Sequence, residues 1–186
     1  MNTVLALWLP ILLSAVVVFV ISSLIHMCFK WHASDYNALA NEDAVRAAIR
    51  AGNPAPGRYV LPHCTDMKEM ASEAMLQKYR EGPVAHVTLG PNGAPNMGKS
   101  LGLWFLWSLI IAAVAGYLAA RVFGLSQAPA LGAAKLVGAI TFVAHGFGTV
   151  TESIWVMRPW SSSAKYLLDS ALYAIGSAAV FYWLWP

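Results

Sequence analysis

Polar side chains able to do chemistry recur at helical spacing in the last third of the chain. Thr141, His145, Thr149 and Glu152 follow at intervals of four, four and three, which places them on one face of a helix. Tyr166, Asp169, Ser170, Tyr173 and Ser177 make a second stripe. The short Arg158–Ser163 connection makes the two helices antiparallel neighbours, so the stripes are expected to face each other. A rise of about 1.5 Å per residue puts Glu152 and Asp169 level, each roughly 7 Å inside one boundary of the hydrocarbon. His26, near the end of an earlier apolar segment, is expected to join them. The expected intramembrane polar cluster is therefore Glu152, Asp169, His145, His26, Thr149 and Tyr173.

An ionisable residue at the centre of a span costs roughly +2.5 to +3.5 kcal/mol on insertion scales, so such groups normally face protein or water. Three chemistries fit the cluster. In the leading one, Glu152 and Asp169 pair with Arg158, Lys165 or His26 and fix helix packing, with no cofactor. In the second, His26, Cys28, His32, His63, Cys64, Glu152 and Asp169 supply ligands for zinc, iron or haem. The set singled out as candidate ligands is His26, His32, His63, Cys64 and Glu152, although no CxxC, HExxH or ExxH spacing marks it. The third is a proton or ion relay through His145 and the carboxylates. Four short helices without a broken-helix repeat make a poor transporter alone, so a relay calls for an oligomer.

The two cysteines are too few for a disulfide framework and are expected to be reduced thiols. His63-Cys64 after Pro62 is the most reactive-looking dipeptide, but no partner for it is identifiable and no catalytic residue is assigned. Gly93, Gly98, Lys99 and Ser100 match the phosphate-binding pattern G-x-x-x-x-G-K-[ST]. A phosphate cradle needs a parallel sheet, a second strand with a magnesium-binding Asp, and water over the helix N-terminus. The helix that follows is an apolar span, so the match is read as false and Lys99 as an interfacial anchor.

The elements that position these residues follow from composition. Of the 186 residues, 58% are hydrophobic and 11% charged, against roughly 25% charged in a soluble domain. An ordinary soluble enzyme, a disordered chain and a nucleic-acid-binding module are excluded. A hydrocarbon core of about 30 Å takes about 20 helical residues to cross. Val4 to Phe29 and Ser100 to Ala120 carry no charge, and Ala134 to Val156 and Ala164 to Trp185 carry few. The expected fold is an all-α integral membrane protein, a four-transmembrane-helix bundle with a small, mostly helical cytoplasmic loop region. Its parts are a first span in 1–29, the loop region over 30–99, and three spans in 100–186. Met1-Asn2-Thr3 lacks a positive leader region and the apolar run is long, so the first span is expected to be retained rather than cleaved.

Ten Lys and Arg residues fall on the side of the long loop and two, Arg121 and Lys135, on the other. The positive-inside rule puts 30–99 in the cytoplasm and both termini outside. Within the loop, a helix is expected near 42–51, extended chain over Arg58–Leu61, and a helix from Asp66 to Gly82 with Met67, Met70, Ala71 and Ala74 on one face. A strand is expected over Val84–Leu89. Ala112, Gly116 and Ala120, and Gly138, Gly146 and Gly148, offer small-residue faces on the second and third spans that let helices approach closely.

Pro95-Asn96-Met97-Gly98 before a basic residue, Trp8-Leu9-Pro10-Ile11, Ser34-Asp35, Pro56-Gly57-Arg58-Tyr59, Gly82-Pro83-Val84, and Ile154-Trp155 with Pro159-Trp160 run through nearly the whole chain. Together they resemble an uncharacterised family of small four-helix bacterial inner-membrane proteins with no known activity. The resemblance implies topology and no mechanism. In that family the basic residue is Lys or Arg and need not precede Ser, which further weakens the phosphate-loop match. The expected function is a non-catalytic accessory or scaffold subunit in the bacterial inner membrane. Its partners are the lipid bilayer and other membrane subunits or a second copy, with no nucleic acid and no nucleotide. A metal- or haem-binding protein and a small ion conductor are the alternatives.

Overall fold

The computed structural model describes residues 6–125 and 129–186. The Met1-Asn2-Thr3 start, Val4, and part of the turn between the second and third spans lie outside the described residues. In chain order the elements are α1 (Trp8–Phe29), a tight 3-10 turn (Trp31–Asp35), α2 (Glu42–Ala51), β1 (Gly57–Leu61), α3 (Met67–Met70), α4 (Glu73–Glu81), β2 (Ala85–Leu89), α5 (Met97–Phe123), α6 (Ala130–Trp155) and α7 (Trp160–Leu184). Among the described residues, α1, α5, α6 and α7 are long and apolar enough to cross a membrane. Each overlaps the expected span. Asn96 starts α5 by accepting the Lys99 N–H on its side-chain oxygen at 3.0 Å, and Gly124 ends it with φ +79°. Pro129 and Pro159 sit at the N-caps of α6 and α7, where a missing N–H costs nothing.

The chain forms two compact units: the residues up to Tyr36 with Asn96–Pro186, and Asn37–Pro95. Residues 30–36, expected in the loop, therefore belong to the helical bundle. Lys30 explains the change. The last turn of α1 widens to π-helical geometry over Leu24–Phe29, and Lys30 closes it in the left-handed region at φ +53°. The chain then enters the 3-10 turn, which packs on α7.

The bundle core is built on size contrast. Phe181 is fully buried with Leu7, Ile11, Ala115, Ala119 and Val137. A Cβ on Gly116 would lie 2.9 Å from the Phe181 ring, so the glycine makes room for the phenylalanine. On Gly138 it would meet the Ala174 carbonyl oxygen at 3.3 Å, and on Gly146 the Ser170 hydroxyl at 2.9 Å. The small faces of α5 and α6 are thus filled largely from within; Gly148 alone of those named faces open space. Large apolar side chains such as Val20, Leu106, Val114, Phe147 and Ile175 are exposed instead, on helices long and apolar enough to cross a membrane.

In the Asn37–Pro95 unit, β1 and β2 pair antiparallel, Gly57 opposite Leu89 and Leu61 opposite Ala85. Both strands occur near their expected positions, and helices still outweigh them in the loop region. The helix expected from Asp66 is two helices. Asp66 caps α3 by accepting the Lys68 N–H, and Ser72 caps α4 by accepting that of Met75. The restart at Ser72 shifts the helical phase, which buries Met75 and leaves Met67, Met70, Ala71 and Ala74 exposed.

Candidate functional site

The site grows from the end of α1. In a 3-10 turn, residues i and i+3 eclipse, so His32 and Asp35 point the same way. Asp35 Oδ2 accepts from His32 Nδ1 at 2.8 Å. The other ring nitrogen, Nε2, lies 2.7 Å from Asp169 Oδ2 on α7. Trp31, from the same turn, donates its indole N–H to Asp169 Oδ1 at 3.1 Å. One turn earlier on α7, Lys165 donates to Asp35 Oδ1 at 2.7 Å, to the Ser34 hydroxyl at 2.7 Å and to the Trp31 carbonyl at 2.9 Å.

The result is a buried chain, Lys165–Asp35–His32–Asp169–Trp31, in which every carboxylate oxygen has a donor. His32 satisfies both acids at once when both ring nitrogens carry hydrogen, and two cations then balance two anions. The Lys165 hydrogen bond, aided by His32 and opposed by burial, holds the Asp35 carboxyl below its ordinary value. Asp169 is 1% exposed and His32 5%, so the network is shielded from competing water.

His26 lies on the widened turn of α1. Its Nδ1 sits 2.9 Å from the Ser22 carbonyl oxygen, a contact that requires Nδ1–H and leaves the lone pair on Nε2. The ring stacks on His32 with centroids 4.9 Å apart and planes 10° from parallel. One ring nitrogen of each histidine and one Asp169 oxygen lie within 4.8 Å of one another. This is the group best placed to hold a metal ion.

His26 and Asp169 border a cavity of about 600 Å³. Met27, Met97, Leu101 and Trp104 form its apolar walls, and Ser22, His26, His145, Asp169 and Tyr173 its polar side. Trp104 donates its indole N–H to the Ser22 hydroxyl at 3.0 Å. The His145 ring packs edge-on against Trp104 and Tyr173, each with centroids 5.3 Å away. Its Nε2 is buried and has no hydrogen-bond partner among the described residues.

Of the expected cluster, His26, His145, Asp169 and Tyr173 meet around this cavity. Glu152 and Thr149 do not. Glu152 keeps a side chain 52% exposed and pairs with Arg158, whose guanidinium stacks 4.2 Å over the Tyr166 ring. The stripe on α6 runs at a constant interval of four through Thr141, His145 and Thr149 to Ser153. Thr149 and Ser153 both reach the Ser163 hydroxyl at 2.6 Å. The interval of three to Glu152 rotates that acid off the face, so it does not oppose Asp169. Of the expected cations, Arg158 takes Glu152, Lys165 takes Asp35, and Asp169 is held by His32 and Trp31.

Of the expected metal set, His26 and His32 come together, and Asp169 stands where Glu152 was expected. His63 and Cys64 belong to the Asn37–Pro95 unit, where the Cys64 thiol lies 3.0 Å from the Asp66 carbonyl oxygen. Cys28 and Cys64 are free thiols. At the phosphate-loop lookalike, the strand before Gly93 pairs antiparallel with β1 and not in a parallel sheet. The side chain of Asn96 occupies the Lys99 amide, and Ser100 donates to the Asn96 carbonyl. The contributions of Trp31 and Asp35 went unread. Their signal is the His32-x-x-Asp35 pair, in the turn after α1, opposite Lys165-x-x-x-Asp169 on α7.

Comparison with protein-family models, with curated proteins and with solved structures finds no match to this chain.

Proposed function

We propose that this chain is a multi-pass bacterial inner-membrane protein that binds an amphipathic small molecule drawn from the bilayer, and that it is a binding protein rather than a catalyst. The observation that carries this reading is the cavity of about 600 Å³ with Ser22, His26, His145, Asp169 and Tyr173 gathered on one side of its wall. These polar groups suit an oxygen-bearing head group. Methionine and leucine side chains opposite suit the ligand's hydrocarbon part. Sites of this kind, mostly apolar with a few convergent polar groups, are the usual form of small-molecule pockets. Both termini lie outside and Asn37–Pro95 inside, on the strength of Lys30, Lys99, Arg158 and Lys165 flanking one side.

An accessory or scaffold role has less to rest on, because Gly116, Gly138 and Gly146 face partners within the bundle. The test is native mass spectrometry of protein extracted in mild detergent, with analysis of the co-purified lipids. One molecule class should be enriched at one per chain. His145→Leu should weaken its retention by making the polar side of the cavity apolar, and Leu101→Trp should exclude it by volume. A lipid complement identical to the bulk membrane in all three proteins sinks the proposal.

A further inference from the structure

The geometry points to a second site at the same end of the bundle: we propose that His26, His32 and Asp169 bind one zinc-class divalent metal ion through two imidazole nitrogens and one carboxylate oxygen. A single ring nitrogen or oxygen from each already lies within 4.8 Å of the other two. Zinc–nitrogen and zinc–oxygen bonds of about 2.0–2.2 Å place tetrahedral ligands roughly 3.3 Å from each other. The ligand atoms therefore need to close by at most about 1.5 Å, and because the two imidazoles are stacked nearly parallel, the exposed His26 ring must also turn to aim its lone pair at the ion.

What distinguishes this group from a chance cluster is how each ligand is held from behind. Metal-bound histidines almost always donate their second ring N–H to a carboxylate or a backbone carbonyl, which fixes tautomer and orientation. His26 donates Nδ1–H to the Ser22 carbonyl at 2.9 Å, so Nε2 has the lone pair. His32 gives Nδ1–H to Asp35 at 2.8 Å, and Lys165 in turn anchors Asp35. Asp169 Oδ1 is held by the Trp31 indole, leaving Oδ2 for the ion. All three ligands thus have an orienting partner on the atom that is not needed for the metal.

The exchange balances simply. The hydrogen now shared between His32 Nε2 and Asp169 Oδ2 leaves to water as one proton, and the ion takes its place between those atoms. His26 and Asp169 both line the cavity, so three protein ligands leave a fourth position facing it. Two imidazoles and one carboxylate with an open position suit zinc, cobalt or ferrous iron and disfavour calcium and magnesium, which prefer oxygen cages. The site does not depend on the amphipathic ligand, because the bare ion is its probe.

Cobalt(II) makes the test direct. Protein in mild detergent, stripped with a chelator, is titrated with Co²⁺, and the visible absorption reports four-coordinate binding. One ion per chain with intense bands, displaced by Zn²⁺, is the expected result. His26→Gln and Asp169→Asn should each lose the bands and weaken binding about 100-fold, and Asp35→Asn about 10- to 100-fold as an orienting residue. His26 is exposed and makes one backbone hydrogen bond, so His26→Gln keeps the test valid if Asp169→Asn fails to fold. A His63→Ala, Cys64→Ser double variant should bind as the wild type does. Failure of the wild type to bind at micromolar Co²⁺, equal binding by His26→Gln, or loss of binding in the loop double variant overturns the site. His145→Leu, which tests the amphipathic ligand, should leave cobalt binding unchanged, so the two proposals fail separately.

Discussion

Asp169 Oδ2 and His32 Nε2 stand 2.7 Å apart although 137 residues separate them along the chain. The contact joins the turn after the first long helix to the middle of the last one. Both side chains are almost completely enclosed, 6% and 2% exposed. Removing one partner of a buried ion pair leaves the other charged and unsolvated, which typically costs about 3–5 kcal/mol. His32→Ala leaves Asp169 with the Trp31 indole as its remaining donor, while Asp35 keeps Lys165, and should approach that range. Asp169→Asn retains an oxygen for Trp31 and a similar volume, so it should cost less. Thermal unfolding in detergent, followed by circular dichroism, ranks the two variants. Equal stability of His32→Ala and wild type refutes the lock.

Much of this architecture was legible from residue order, and the exceptions have identifiable causes. Long apolar runs with few charges mark four long helices, because that length and composition suit little else. The network around Asp169 was only half visible. Asp169 could be picked out as a costly acid, but its partner depends on Lys30 adopting left-handed geometry, which folds His32 and Asp35 back onto α7. Hydrophobic periodicity carries no information about such a reversal. Glu152 misled for a different reason: intervals of three and four both look like one helical face over a single turn. After Thr149 the interval of four leads to Ser153 and inward, and the interval of three leads outward. In the loop, Ser72 reads as an ordinary helix residue until its hydroxyl is seen to cap a second helix.

Gly116 and Gly148 form a paired test of the small-residue packing. A Cβ at Gly116 would come within 2.9 Å of the fully buried Phe181 ring, and one at Gly148 meets nothing within 4 Å. Overpacking a tight core costs about 1–3 kcal/mol. Replacing an exposed helical glycine by alanine gains up to about 1 kcal/mol in intrinsic propensity. Gly116→Ala should therefore lower the unfolding temperature and Gly148→Ala should hold or raise it. Phe181→Leu should rescue Gly116→Ala in part by vacating the volume. Additive effects of that pair would show that the two residues do not compete for space.

The proposed orientation is open to thiol chemistry. Cys64 is partly accessible in the Asn37–Pro95 unit and forms no disulfide. With Cys28→Ser to remove the second thiol, a membrane-impermeant maleimide should label Cys64 in inverted vesicles and leave it untouched in intact spheroplasts. Labelling from outside reverses the topology and moves the metal and ligand sites to the opposite leaflet.

Glu152 provides the sharpest contrast with Asp169, since the two acids look equivalent by depth and differ in everything the fold does with them. Glu152 is half exposed and, among the described residues, its side chain pairs with Arg158, which also reaches Ser162. Exposed ion pairs contribute about 0–1 kcal/mol. Glu152→Gln should therefore shift unfolding by less than about 1 kcal/mol, and it should leave both cobalt binding and lipid retention as they are in the wild type. Arg158 keeps its place over the Tyr166 ring in that variant, so the α6–α7 turn is held from a second side. Parallel unfolding and cobalt titrations of Glu152→Gln and Asp169→Asn decide the matter. If Glu152→Gln is the variant that loses metal or ligand, the acid that serves the site is on α6, and the cluster built on α7 and the Trp31–Asp35 turn is a structural clasp only.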